Sequence, residues 1–366
     1  MIALLFVHNY NYPPTVVAPP TVITGPFSYS QLTEMFFSNS LMRFRLGLLM
    51  TISGYLMANS REVPYYLLVL KKMRTLLLPY VIISIVAVFT TLVFETIRFG
   101  FHNTHTTGMM GKSVWNFTFQ DIVYHVFQYP LAFQLWYLKT IFLLSIFSPI
   151  IKWVLTKIPL TVLGITLIVW LSTNYLDGEI RDRAFFFYGL GYYLRLHNKD
   201  VMRPSPYFSP KLALVLLFVF SVVRTGLAFV HVEWHATLHY LLILLFKLIE
   251  IVGGYAVWFC FDRWVKQIVK QHWFGIVGNA SFFIYAFHAP LINYINDYFH
   301  FNRAFDIPGV HLFVYTLLPV CLLPFLVIAD KLTKKYLPAA YAIITGGRGN
   351  VPQTQQRSEE VSTKQA

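Results

Sequence analysis

The sequence predicts an all-α fold, a polytopic transmembrane helical bundle of about ten spans with both termini cytoplasmic, and three observations carry that prediction. Hydrophobic residues make up 56% of the chain and aromatic residues 18%, against 12% charged, with a mean hydropathy of +0.56. A soluble domain has about a quarter of its residues charged, so this composition belongs in a bilayer. Apolar stretches of about 17 to 22 residues recur, the length a helix needs to cross hydrocarbon, whereas barrel strands would show shorter alternating segments. Basic residues also collect on alternate connections. Arg61, Lys71, Lys72, Arg74, Lys152, Lys157, Arg195, Lys199 and the stretch from Lys331 onward fall on one side; Arg98, Lys112, Arg181, Arg183 and Arg303 lie among carboxylates on the other. The positive-inside rule makes the first set cytoplasmic.

In chain order the spans lie near residues 1–11, 41–58, 75–96, 135–151, 159–175, 184–196, 210–230, 238–260, 275–294 and 311–330. The first is the apolar run that contains His8. Its eleven residues rise about 16 Å against a hydrocarbon core of about 30 Å, so either residues precede Met1 or the helix starts within the membrane. No basic stretch before the run and no small-residue site after it mark a signal peptide. The second span runs from Arg43 through Ser53-Gly54-Tyr55, and the third follows the basic loop Lys71-Lys72-Met73-Arg74. Gln134-Leu135-Trp136-Tyr137-Leu138 opens the fourth, the eighth holds Lys247 and Glu250, and the ninth carries Tyr285 and His288. The long outer segment from Arg98 to Gln134, with Phe117, Phe119, Tyr124, Phe127 and Tyr129, suits an amphipathic piece at the membrane surface. Residues 1–335 form one transmembrane domain, and 336–366 are assigned to a disordered cytoplasmic tail, polar and Gln-rich from Gly346.

These assignments exclude several functions. The net charge of +13 follows from topology and calls for no nucleic acid. Cys260 and Cys321 sit in separate apolar spans, too few for a disulfide framework or thiolate metal site. His231, His235 and His239 recur every fourth residue, but Glu233 does not give the His-Glu-x-x-His order, and they read as an outer loop, as do His102 and His105. Lys247 and Glu250, three apart, read as a buried ion pair. Gly189-Leu190-Gly191 lacks a preceding strand and a third glycine, so it is no dinucleotide signature.

An imidazole in hydrocarbon must face a protein interior or a wet cavity, where it can exchange protons, so His8 and His288 are candidates for chemistry. Ser53-Gly54 leaves room for another backbone or a slender ligand. Lys71, Lys72 and Arg74 suit phosphate or anionic lipid.

Together these residues resemble the acyltransferase 3 family of integral membrane acyltransferases that modify cell-envelope carbohydrates and related acceptors. His8 is similar to the family's first-span histidine, and Arg43 with Ser53-Gly54-Tyr55 to its Arg and Ser-Gly-aromatic pattern. Lys71 and Arg74 stand where an Arg-x-x-Arg pair would be, Trp136-Tyr137-Leu138 resembles Trp-Phe-Leu, and Tyr285 with His288 resembles a late Tyr-x-x-His. Gly47 stands where related sequences often have Pro, and Lys71 loses the bidentate fork of Arg.

The resemblance implies a cytoplasmic acyl-CoA donor, acetyl-CoA first among them, acting as a substrate rather than a resident cofactor. It implies an acceptor hydroxyl on an envelope glycan or lipid-linked precursor, polysaccharide-biosynthesis proteins as partners, and a bacterial cytoplasmic membrane. On the predicted spans His8, Arg43 and His288 converge in the outer half, with His8 as general base, Arg43 orienting substrate or stabilising an oxyanion, and His288 supporting or binding the acceptor. Ser53 and Gly54 would pass the pantetheine arm from phosphates held by Lys71, Lys72 and Arg74. The alternatives are a transporter or flippase for a glycan precursor and a non-catalytic membrane subunit of a polysaccharide-synthesis complex; paired broken helices in inverted repeats, which would favour transport, are not seen in the sequence.

Overall fold

The computed structural model describes residues 2–9, 27–60, 63–101, 112–172, 182–229, 236–307 and 309–347, and among these every regular element is helical. Helix α1 (Ile2–His8) is followed by a helical run in four pieces without an intervening loop: α2 (Tyr29–Glu34), a π-helical stretch (Met35–Ser40), a 3-10 turn (Leu41–Phe44) and α3 (Arg45–Ala58). Next come α4 (Tyr65–Lys72), a second π-helical stretch (Met73–Leu77) and α5 (Leu78–Phe99), then the short α6 (Phe119–Phe127). Helices α7 (Trp136–Ile146), α8 (Ser148–Lys157), α9 (Pro159–Ser172) and α10 (Asp182–Leu196) precede the longer α11 (Pro210–Ala228) and α12 (Ala236–Cys260). The chain continues through α13 (Asp262–Ile268), α14 (His272–Asn279), α15 (Ser281–Phe301), α16 (Val310–Tyr336) and α17 (Pro338–Ile344).

Four helical runs among the described residues are long and apolar enough to cross a membrane alone: Tyr65–Phe99, Pro210–Ala228, Tyr240–Cys260 and Val310–Tyr336. Two bent pairs qualify if each is one span, Phe133–Ile146 with Ser148–Lys157 at 64° and His272–Asn279 with Ser281–His300 at 67°. Of the ten spans read from the sequence, four to six are full-length helices among the described residues. Hydropathy registers any apolar stretch, whereas among the described residues α1, α9 and α10 supply 7, 14 and 15 helical residues, short of the roughly 20 that span a bilayer. Outward-facing Phe89, Ile97, Phe313 and Val320 are more than half exposed, as expected of helices solvated by lipid.

The tightest crossing joins α3 to α10. A Cβ on Gly54 would strike the Tyr188 carbonyl oxygen, and one on Gly191 would strike the Thr51 carbonyl oxygen, so each helix presses its backbone into the glycine of the other. Met50, Leu144, Leu155, Trp170, Phe187 and Tyr188 fill in around that contact. A second cluster sets Tyr80, Ile83, Leu135 and Leu138 against Tyr285, and a third sets Leu5 against Ile284, Ile292, Leu322 and Leu326.

Two segments refine the sequence reading. The amphipathic outer piece is α6, which opens with a reciprocal cap between Thr118 and Asp121 while Lys112 Nζ reaches Asp121 at 2.6 Å. That ammonium bond, then the Thr118 amide and hydroxyl, hold the Asp121 carboxyl well below the usual carboxylate range. The segment 336–366 begins with a helix rather than disordered chain: in α17 the buried Tyr341 ring packs beneath α16 and its hydroxyl donates to Asp330 at 2.9 Å. The remainder of the assigned tail, from 348, lies outside the described residues, as do His102, His105, His231 and His235. The side chain of His239 lies outside them as well.

Candidate active site

Just past His8, the Asn9 amide still donates to the Leu5 carbonyl at 3.0 Å while its side chain reaches across the bundle. Asn9 is fully buried and its Nδ2 donates to the carbonyls of Val314 at 2.9 Å and Tyr315 at 3.0 Å on α16. The Tyr315 carbonyl is open to it because the residue four places on is Pro319, which has no N–H to return. Asn296 of α15 donates to Asn9 Oδ1 at 3.2 Å, and Ser38 donates to the Phe6 carbonyl at 2.9 Å. So anchored, the half-buried His8 ring meets Phe133 edge-on at 4.8 Å between centroids and the His288 ring at 5.1 Å.

His288 is fully buried, and its Nδ1 lies 2.8 Å from the Ile284 carbonyl and 3.0 Å from that of Tyr285. Two carbonyls can only accept, so Nδ1 carries the hydrogen, and in the neutral ring Nε2 holds the lone pair. Nε2 is buried and has no hydrogen-bond partner among the described residues. Two residues beyond, Pro290 lies inside α15 and leaves the Ala286 carbonyl without its helical donor. Gln134 Nε2 supplies one at 2.8 Å, and the Tyr285 hydroxyl donates to the Gln134 carbonyl at 2.7 Å. The two motifs that open the fourth span and fill the ninth are thus bound to each other.

Arg43 lies in the same interior but turns elsewhere. It donates to the Asn39 side-chain and main-chain oxygens, and its guanidinium stands 5.2 Å from the Phe246 ring centroid. Arg224 and Arg183 reach the same ring at 5.4 and 5.7 Å, so three buried arginines gather around one aromatic ring. Arg224 also donates to the Asn39 carbonyl at 2.6 Å, at the break between the π-helical and 3-10 stretches. Arg183, assigned from the sequence to an outer connection, instead faces the buried Glu250 at 3.6 Å. The pairing expected within α12 is replaced as well: Lys247 donates to the Trp170 and Leu171 carbonyls at the end of α9, where helical carbonyls lack intrahelical donors.

With this arrangement in view, the comparison with known families becomes decisive, for a family model described as an acyltransferase domain, acyltransferase 3, matches residues 1–329. The chain belongs to the acyltransferase 3 family. It is accordingly a membrane acyltransferase. Neither the curated proteins nor the solved structures contain a match.

The remaining acyltransferase candidates are distributed unevenly. Ser53 shares a 2.6 Å hydrogen bond with the Tyr137 hydroxyl, which joins two of the family-like motifs. Gly54, expected to open a passage for the donor, is filled by the α10 backbone instead. Lys71 and Arg74 are exposed and Lys72 is half-buried, on α4 and the π-helical turn after it, apart from the imidazoles. Among the described residues no group of three His, Cys, Asp or Glu side chains is placed to hold a metal ion.

Sequence reasoning missed Asn9 and Gln134, whose carboxamides bind main-chain carbonyls near the histidines, and Arg45, which lies within charge-interaction range of both imidazoles. The prolines at 290 and 319 were the available signal. Each requires a donor from elsewhere in the bundle, and a lone carboxamide in a neighbouring apolar span is the natural one.

Proposed function

We propose that this acyltransferase moves an acyl group, most simply acetyl, from cytoplasmic acyl-CoA to a hydroxyl of an envelope carbohydrate or lipid-linked glycan, with His8 as general base. The ring-to-ring placement of His8 and His288 at 5.1 Å supports this reading above any other observation. In the proposed step His8 takes the proton of the acceptor hydroxyl as its oxygen attacks the thioester carbonyl carbon. The resulting oxyanion faces the positive field of Arg45 and Arg43. The carbon–sulfur bond then breaks, and the CoA thiolate leaves with the proton that His8 returns. His288, buried behind His8, keeps that ring in place and offers a second lone pair nearby. The variant in which His8 is itself acylated and passes the group on uses the same residues.

Lys71, Lys72 and Arg74 would hold the CoA phosphates at the cytoplasmic mouth, and Ser53 with Tyr137 would line the path inward. On this reading both termini face the cytoplasm of a bacterial cell, and polysaccharide-biosynthesis proteins are partners. An apolar groove of about 190 Å³ between α5, α15 and α16, lined by Ala87, Phe287, Pro290 and Leu326 with the Thr90 and Tyr294 side chains, gives the hydrocarbon of a lipid-linked acceptor a place beside the turn that carries His288.

The test is incubation of purified protein with labelled acetyl-CoA and membranes that supply the acceptor, together with mass spectrometry of envelope glycans from a deletion strain. Release of CoA thiol and loss of acyl groups in the deletion strain are expected. A protein that leaves acetyl-CoA intact while moving or scaffolding glycans would overturn the reading.

A further inference from the structure

We propose that Gln134 is a positioning residue for the imidazole pair, acting through the Ala286 carbonyl that Pro290 leaves without a helical donor in α15. The inference rests on the reading of His8 and His288 as the reacting pair and adds to it the device that orients them.

The short turn Phe133–Leu135 touches the His8 ring and is bonded to the turn of α15 just before His288. Phe133 lies against His8 at 4.8 Å, while the buried Gln134 side chain reaches the turn of α15 that precedes His288. Two antiparallel hydrogen bonds close that connection: Gln134 Nε2 to the Ala286 carbonyl at 2.8 Å, and the Tyr285 hydroxyl to the Gln134 carbonyl at 2.7 Å. The Tyr285 and Ile284 carbonyls in turn fix His288 Nδ1. A displacement of Gln134 is therefore transmitted to the ring through a single helical turn.

Pro290 explains why the connection exists and how strongly it directs. A proline inside a helix removes one hydrogen bond and bends the axis, and in a membrane interior no water replaces the missing donor. The freed carbonyl is then held by whichever neighbouring group donates to it. Here that group is Gln134, from the same turn that packs on His8, so one element engages both the freed carbonyl and the neighbouring ring. The same construction recurs beside His8, where Asn9 binds the Tyr315 carbonyl that Pro319 leaves open and is itself held by Asn296 from α15.

The proposal is tested by a double-mutant cycle on the full-length protein, reading CoA thiol release from acetyl-CoA in membranes and melting temperature in detergent without substrate. Gln134→Met, which keeps the volume but removes the donor, is expected to lower kcat about 10- to 100-fold, the loss that follows an ångström-scale misplacement, with little change in KM for acetyl-CoA. Adding Pro290→Ala returns a backbone N–H to the Ala286 carbonyl and is expected to recover most of that loss. Gln134→Glu can donate only while protonated, so its activity should fall with rising pH relative to the parent protein.

Equal damage from Gln134→Met with and without Pro290→Ala would overturn the proposal. So would recovery of melting temperature without recovery of kcat, because that would make the contact purely structural. If Gln134→Met does not fold, the pH profile of Gln134→Glu decides alone, and a profile parallel to that of the parent overturns the proposal. A parent protein that consumes no acetyl-CoA would refute the acyl-transfer reading separately, whatever the melting temperatures show.

Discussion

The imidazole pair and the arginine cluster occupy one interior but are held by opposite means. His8 and His288 are fixed by neutral groups, namely carboxamides on proline-freed carbonyls and main-chain oxygens on a ring nitrogen. Arg43, Arg183 and Arg224 are held by charge, by the face of Phe246 and by the carbonyl at a helix break, with Glu250 opposite. The difference teaches what each region requires. A neutral ring that exchanges protons needs direction more than compensation, whereas a buried cation needs compensation before anything else, because desolvation exceeds what any single contact returns. Hence the first region should fail in rate, and Arg183 and Arg224 of the second in stability.

The largest expected effect sharpens the first half of that contrast. His8→Ala should lower acyl transfer by about 10²- to 10⁴-fold, the range of a general base, with a melting temperature close to the parent's. A variant that melts early would place His8 with the structural residues instead.

Next in size is the converse. Arg183→Met leaves Glu250 buried opposite an apolar group and should cost about 3–5 kcal/mol of stability. Pairing it with Glu250→Leu should return most of that stability, as read from denaturant or thermal unfolding in detergent. No recovery in the double variant would show that Arg183 serves another partner.

Smaller again is Gly54→Ala. Its added methyl meets the Tyr188 carbonyl oxygen and should destabilise by about 1–3 kcal/mol, the range for overpacking, without changing KM for acetyl-CoA. A raised KM at unchanged melting temperature would restore the donor passage that the packing at α10 argues against.

The smallest effect lies at the surface, where water does the compensating. Hydrogen bonds from Lys112 and Thr118 lower the Asp121 carboxyl, so folding favours its ionised form. The stability it adds is present above the unfolded value of about 3.9 and is lost as pH falls through the lower folded value. Asp121→Asn should therefore quicken hydrogen exchange in α6 at neutral pH, and the gap from the parent should close in acid. A gap independent of pH would mean that the cap works without the charge.

Much of this was legible from residues alone. The membrane class and the helical architecture follow from composition and local spacing, and the order of His8, Arg43, Ser53, Tyr285 and His288 from the resemblance to the family. Gly54 and Arg43 were legible as special positions but not in their use, because a glycine that admits a ligand and one that admits a helix look the same in a chain. Arg183 read as a loop cation since it follows carboxylates at the end of a span; only the neighbouring helix α12 shows it turned inward.

The sequence by itself determined that this protein lives in a bilayer and is built of helices, because burial of apolar side chains and satisfaction of backbone groups within each helix are local requirements. Tertiary structure alone decided which group answers each proline. Gln134 meets Ala286 across 152 residues and Asn9 meets Tyr315 across 306. No local pattern encodes such pairs, since a freed carbonyl accepts from any donor that packing brings within reach. The orientation of the imidazole pair depends on those two meetings, so the site's chemistry is written in residues but its geometry in the fold.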